Sequence, residues 1–212
     1  MKKKLVYDIV FYLIVPLLIW NWVRKGLGDY YTMLLTTIPG FIYTIFFFIK
    51  DKTYNVTGIF MLVSLFSGRI LDILSGSAER MLWNDIYINI VYIFFWLTTI
   101  LIKKPMGMYF FIDYAYAQGF NREKSKKLYL RKGLFKYFQY LTALFAIRDL
   151  EQILLKIWAI KTYGVTGFNQ ISIVMRINGY IFTGIIILFI LFIVNLIKKS
   201  ISKVDAKKTN FI

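Results

Sequence analysis

The sequence contains no cysteine and no histidine. Disulfides are excluded, and so are zinc sites built on thiolate or imidazole, haem ligation by histidine, and the Cys-His and Ser-His pairs of nucleophilic catalysis. Acidic residues are also scarce: 11 Asp and Glu stand against 27 Lys and Arg, leaving a net charge of +16 over 212 residues. With so few carboxylates, no pair falls at metal-ligand spacing with partners, and neither a cofactor nor a metal site is expected. What is abundant is apolar surface, at 58% hydrophobic and 19% aromatic residues. These residues come in long runs rather than interspersed at helix or strand period, an arrangement that a soluble domain does not show.

Six runs, at about 5–23, 30–49, 56–75, 86–102, 134–160 and 171–197, are each near or above the ~20 residues that a helix needs to cross the hydrocarbon. The expected fold is all-α: a polytopic membrane helix bundle of about six spans, forming one transmembrane domain over 1–201. A basic cytoplasmic tail is expected over 202–212. The first run follows Lys2, Lys3 and Lys4 but ends in Trp20-Asn21-Trp22, without the small residues of a cleavage site, and reads as a retained span.

Charge sets the orientation. With the N-terminus inside, the inner segments hold Lys2 to Lys4, Lys50, Lys52, the basic residues of 103–133 and the tail lysines, whereas the outer loops keep Arg24, Lys25, Arg80, Lys161 and, at a helix edge, Arg176. Cytoplasmic loops collect Lys and Arg, so both termini are expected on the cytoplasmic side. Trp20, Trp22, Tyr30, Tyr31, Trp83 and Tyr163 then fall at the outer interface. The fifth run carries charges, and parity requires it to cross if the basic tail is to end inside.

The 103–133 connection is Met-, Phe- and Tyr-rich to Phe120 and strongly basic beyond Asn121. Two readings are open. Its aromatic half either packs under the bundle or inserts into an anionic inner leaflet while the lysines meet headgroups. At a membrane surface, anionic lipid rather than nucleic acid is the expected partner.

Ionisable residues within spans are costly and face protein, a partner or water. In the expected topology the outer half of the membrane holds four cations, Arg69, Arg148, Lys156 and Arg176, and four anions, Asp72, Asp85, Asp149 and Glu151. Arg69 precedes Asp72 by three residues and can pair with it along the helix. Arg69, Asp72, Arg148, Asp149 and Glu151 form the candidate cluster, either a ligand-binding site open to the outside or an ion-pair network holding the bundle. Ser64, Gly68 and Asp72 share a helix face, with Ser64 and Gly68 small enough for close approach to another helix, internal or in a second copy. Pro16 and Pro39 lie inside spans, where each leaves a carbonyl for a neighbour to satisfy.

The segment from Asp72 to Arg80 resembles the opening of the CDP-alcohol phosphotransferase signature. Ser75 stands where a metal-ligating Asp is needed, and Asn89, Ile93 and Leu97 stand at the downstream Gly and Asp positions, so the resemblance breaks at the metal. A broader one remains. An early span with Asp8 and Pro16, a span from about Trp83 running into Lys103-Lys104-Pro105, then Gly133-Leu134-Phe135-Lys136, an aromatic-rich span, a short outer turn and a long final span resemble the intracellular septation protein A-like group of bacterial inner-membrane proteins. The likeness covers the first span and the chain from about 83 onward. The longer inner loop and the 72–80 stretch depart from it, which suggests a relative rather than the septation protein itself. The resemblance implies a multi-pass protein of the bacterial plasma membrane with a role in division or envelope integrity, through contacts with cell-division or wall-synthesis machinery and without known catalysis. Lipids, other membrane proteins or a second copy are the expected partners. It carries over no site residues. The alternative is a small transporter or channel-like protein that uses the polar cluster.

Overall fold

The structure is a computed structural model that describes Tyr7, residues 9–50 and residues 55–209, with side chains except at 132 and 201–209. The N-terminal lysine run, Asp8, Lys52 and the side chains of the basic tail lie outside the described residues. All regular elements among those residues are helical: a π-helical turn at Val10–Ile14, then α1 (Val15–Lys50), α2 (Val56–Leu74), α3 (Ala78–Leu101), α4 (Met106–Ala117), α5 (Arg122–Tyr129), α6 (Lys132–Tyr163), a 3-10 turn at Val165–Gly167 and α7 (Phe168–Thr209). Four stretches are long and apolar enough to cross a membrane, namely Val10–Lys50, Val56–Leu74, Ala78–Leu101 and Val165–Ser200. The chain is a multi-pass helical membrane protein.

Val10–Lys50 holds 41 residues, which as one straight helix would reach about 60 Å, twice the ~30 Å hydrocarbon. It does not run straight. Gly28 has φ 74 and ψ 173, inside what is otherwise α1, a conformation essentially confined to glycine. The Tyr12 hydroxyl hydrogen-bonds the Thr44 hydroxyl, and Phe11 stacks on Tyr43 at 5.0 Å. Tyr12 and Thr44 are equally distant from Gly28 in sequence, so the two arms fold back on each other as a hairpin. Arg24 Nε closes the turn onto Asp29 Oδ1 at 2.5 Å. A Cβ at Gly40 would lie 2.8 Å from the Tyr12 ring, so glycine permits this approach.

Helix ends extend beyond the apolar runs because the polar residues at those ends are caps. Asn55 accepts from the Gly58 N–H at 2.8 Å to open α2. Ser77 accepts from the Arg80 N–H, and α3 begins at Ala78 rather than near 86. The Tyr30 hydroxyl donates to the Ile73 carbonyl at 2.7 Å, satisfying an acceptor at the end of α2.

Two compact units divide the chain: Met1–Tyr92 with Asp149–Asn178, and Ile93–Arg148 with Gly179–Ile212. In the first, Trp20, expected at the outer interface, is buried against Phe168 with ring centroids 4.5 Å apart. Gly68 is buried and faces the Ile88 side chain of α3 at ordinary van der Waals distance. In the second, Trp96 and Phe145 pack with tilted rings, centroids 5.3 Å apart, and Phe111, Tyr129 and Phe138 form an aromatic cluster. The 103–133 connection, read from the sequence as a loop, contains α4 and α5. Gly107, Met108, Phe111, Ile112 and Ala115 are buried while Tyr114, Tyr116 and Phe120 are exposed, so one face of α4 is packed. The Thr142 hydroxyl, fully buried in α6, accepts from the Gly107 N–H at 3.0 Å and donates to the Phe138 carbonyl at 2.9 Å. It thereby satisfies an N–H in the first turn of α4, where no carbonyl of the same helix can reach.

Candidate functional site, an intramembrane polar cluster

The α2–α3 turn, with Gly76 at φ 67, brings the end of α2 against the first turns of α3. Asp72 is 5% exposed. Its carboxylate receives Arg69 Nη1 at 3.0 Å, the i,i+3 pairing expected from the sequence. Asn84 Nδ2 approaches the same carboxylate at 3.2 Å and donates to Ser75 Oγ at 2.6 Å. Lys156 of α6, 8% exposed, places Nζ 2.9 Å from Asp85 Oδ2. Asp85 and Lys156 also act electrostatically on Asp72. Arg69, Asp72, Asp85 and Lys156 therefore form one group of two cations and two anions whose formal charge sums to zero.

A second polar level lies further along α6 and α7. Asn178 Nδ2 donates to Glu151 Oε2 at 2.6 Å. The Arg176 guanidinium donates to the Tyr12 carbonyl and sits 5.9 Å from the Tyr12 ring centroid. Tyr12 stands four residues before Pro16, which has no N–H to offer that carbonyl. Here the wide π-turn makes room for the proline ring, and Arg176 serves as the donor. Arg176 was expected at the outer edge of its span. The helix instead starts at Phe168, more than two turns earlier, so Arg176 is internal to α7.

Asp149 is 1% exposed in the first unit, and Arg148, half-buried, belongs to the second. Of the five candidate residues, the structure joins Arg69 with Asp72 directly, and it gives Glu151 an Asn178 partner rather than a cation. Asn84 and Ser75 were not singled out by sequence reasoning. No helical spacing could reveal them, because Asn84 meets Asp72 across a turn. Among the described residues no group of three His, Cys, Asp or Glu side chains gathers to hold a metal. Chemically, the cluster consists of carboxylates already neutralised by fixed cations and amide donors.

No family model matches the chain, and neither does any curated protein or solved structure.

Proposed function

We propose that the chain is a non-enzymatic structural protein of the bacterial plasma membrane. In this reading it has six spans with both termini cytoplasmic, and it supports division or envelope integrity through protein and lipid contacts. The observation that carries it is the mutual pairing of four of the intramembrane charges. Arg69 with Asp72 and Lys156 with Asp85 leave a neutral, internally bonded group, which serves packing, whereas a translocation site needs groups that exchange partners. The topology is supported within the first unit. Arg24 in the α1 hairpin turn reaches the Thr166 carbonyl before α7 at 3.5 Å, and Tyr30 beside that same turn reaches the end of α2. These three turns lie at one end of the first unit, which supports a reading in which α6 crosses despite its charges. The resemblance to the septation protein A-like group supplies the envelope role. Exposed Lys124, Lys126 and Lys127 on α5, beside exposed Tyr114, Tyr116 and Phe120, suit an anionic leaflet.

Complementation of a deletion strain tests the reading. The neutralised Arg69→Met/Asp72→Asn variant, inserted and folded, restores normal division and resistance to envelope stress. If that folded variant fails to complement, and a solute or ion stabilises the wild type but not the variant, the transporter reading replaces this one.

A further inference from the structure

Between α6 and α7, wholly inside the second unit, runs a groove of about 650 Å³ whose walls include Tyr140, Leu144, Ile147, Leu188, Phe189 and Phe192. Its lining is almost entirely carbon, and Ile147 and Leu188 are well exposed within it. Tyr137, near the start of α6, and Phe192, in the second half of α7, meet edge to face at 5.5 Å. The groove faces continue past its end. On α6, Lys136 stands one turn before Tyr140, and on α7, Asn195 and Lys199 stand three and seven residues after Phe192, so all three extend the groove-lining rows. Both lysines are exposed there, and the Lys136 ammonium lies 5.1 Å from the Tyr137 ring centroid.

We propose that this groove is a binding site for one acidic glycerophospholipid, with an acyl chain along the Tyr140–Ile147 and Leu188–Phe192 walls and the phosphate at Lys136 and Lys199. The dimensions agree. The α6 wall, from Tyr140 to Ile147, rises about 10 Å, within the ~15 Å that half of the hydrocarbon layer gives one chain. A carbon-lined trough that ends in two cations is complementary to a molecule with an apolar tail and an anionic head. A second copy inserted the same way up fits it less well, because two-fold packing on this face brings Lys136 and Lys199 of both copies to the same end. The site is separate from the Arg69–Asp72 cluster, so its failure leaves the proposed function standing.

Native mass spectrometry of the detergent-extracted full chain, titrated with phosphatidylglycerol or with phosphatidylcholine of the same acyl chains, tests the proposal. The wild type retains one phosphatidylglycerol in preference to phosphatidylcholine. Lys136→Gln/Lys199→Gln, altered only at exposed positions, loses that preference, by about fivefold per lysine and about 30-fold together. Ala143 also lines the groove, and Ala143→Trp, which fills it, lowers retention of both lipids, with helicity checked by circular dichroism. Unchanged phosphatidylglycerol retention in the lysine variant overturns the proposal. So does a wild-type dimer that Ala143→Trp makes monomeric without changing lipid retention, which would assign the groove to a second copy.

Discussion

The pairing of Pro16 with Arg176 is open to a quantitative test. Replacing Arg176 by methionine keeps the length of the side chain but removes the donor to the Tyr12 carbonyl and the cation beside the Tyr12 ring. A hydrogen bond from a charged donor contributes about 1.5–3 kcal/mol and a cation–π contact about 0.5–1 kcal/mol, so Arg176→Met costs roughly 2–4 kcal/mol. On the scale of domains this size, that lowers the midpoint by roughly 5–15 °C. The informative variant is the second one. Pro16→Ala restores an N–H four residues after Tyr12, so the helix itself can satisfy the carbonyl. In that background the cost of Arg176→Met falls by about 1.5–3 kcal/mol, because only the ring contact and burial remain. The assay is a double-mutant cycle of unfolding in detergent micelles, followed by helicity, with the four proteins compared under one condition. A coupling below about 0.5 kcal/mol would refute the reasoning, since the carbonyl would then not be what joins the two residues.

Three further outcomes follow from the same physics. Arg69→Met leaves the buried Asp72 with Asn84 as its hydrogen-bond donor and costs about 2–3 kcal/mol, near or below the low end for a broken buried pair because Arg69 is itself 30% exposed; adding Asp72→Asn recovers at least about 1 kcal/mol in the same unfolding assay. Gly28→Ala meets no steric obstacle within 4 Å, yet it destabilises by about 1–3 kcal/mol through the backbone, whereas Gly26→Ala, two residues away and equally unobstructed, is neutral or stabilising. Thr142→Val preserves shape but orphans the Gly107 N–H at a cost of about 1–3 kcal/mol, while Thr183→Val, at an exposed position, changes the unfolding midpoint little.

The long apolar runs identified the membrane class because the physics there is collective: each run must hide its own backbone, and only a helix does so. The break between 5–23 and 30–49 was legible for the same reason, and Gly28 lies inside it. The carbonyl that Pro16 leaves behind was also foreseeable, but its donor was not, since Arg176 stands 164 residues later. Asn84 with Asp72 and Lys156 with Asp85 share that limit: helical spacing describes neighbours on one helix and is silent on what faces it. Helix ends were misjudged where polar caps such as Ser77 fall outside an apolar run, and α5 was hidden because its row of lysines carries no apolar period. Asp113, buried and bonded to Arg122 at 2.8 Å, went unnoticed because it sits in a segment read as a loop.

The central claim is that α6 crosses the membrane despite its charges, and single-cysteine labelling tests it most directly. The chain has no cysteine of its own, so each variant carries one reactive thiol. Gly26, Thr166 and Asn121 are all exposed. The account predicts that a membrane-impermeant maleimide labels Gly26→Cys and Thr166→Cys on intact cells, and labels Asn121→Cys only after the membrane is opened. Labelling of Asn121→Cys on intact cells together with Thr166→Cys would contradict it, because α6 would then begin and end on the same side.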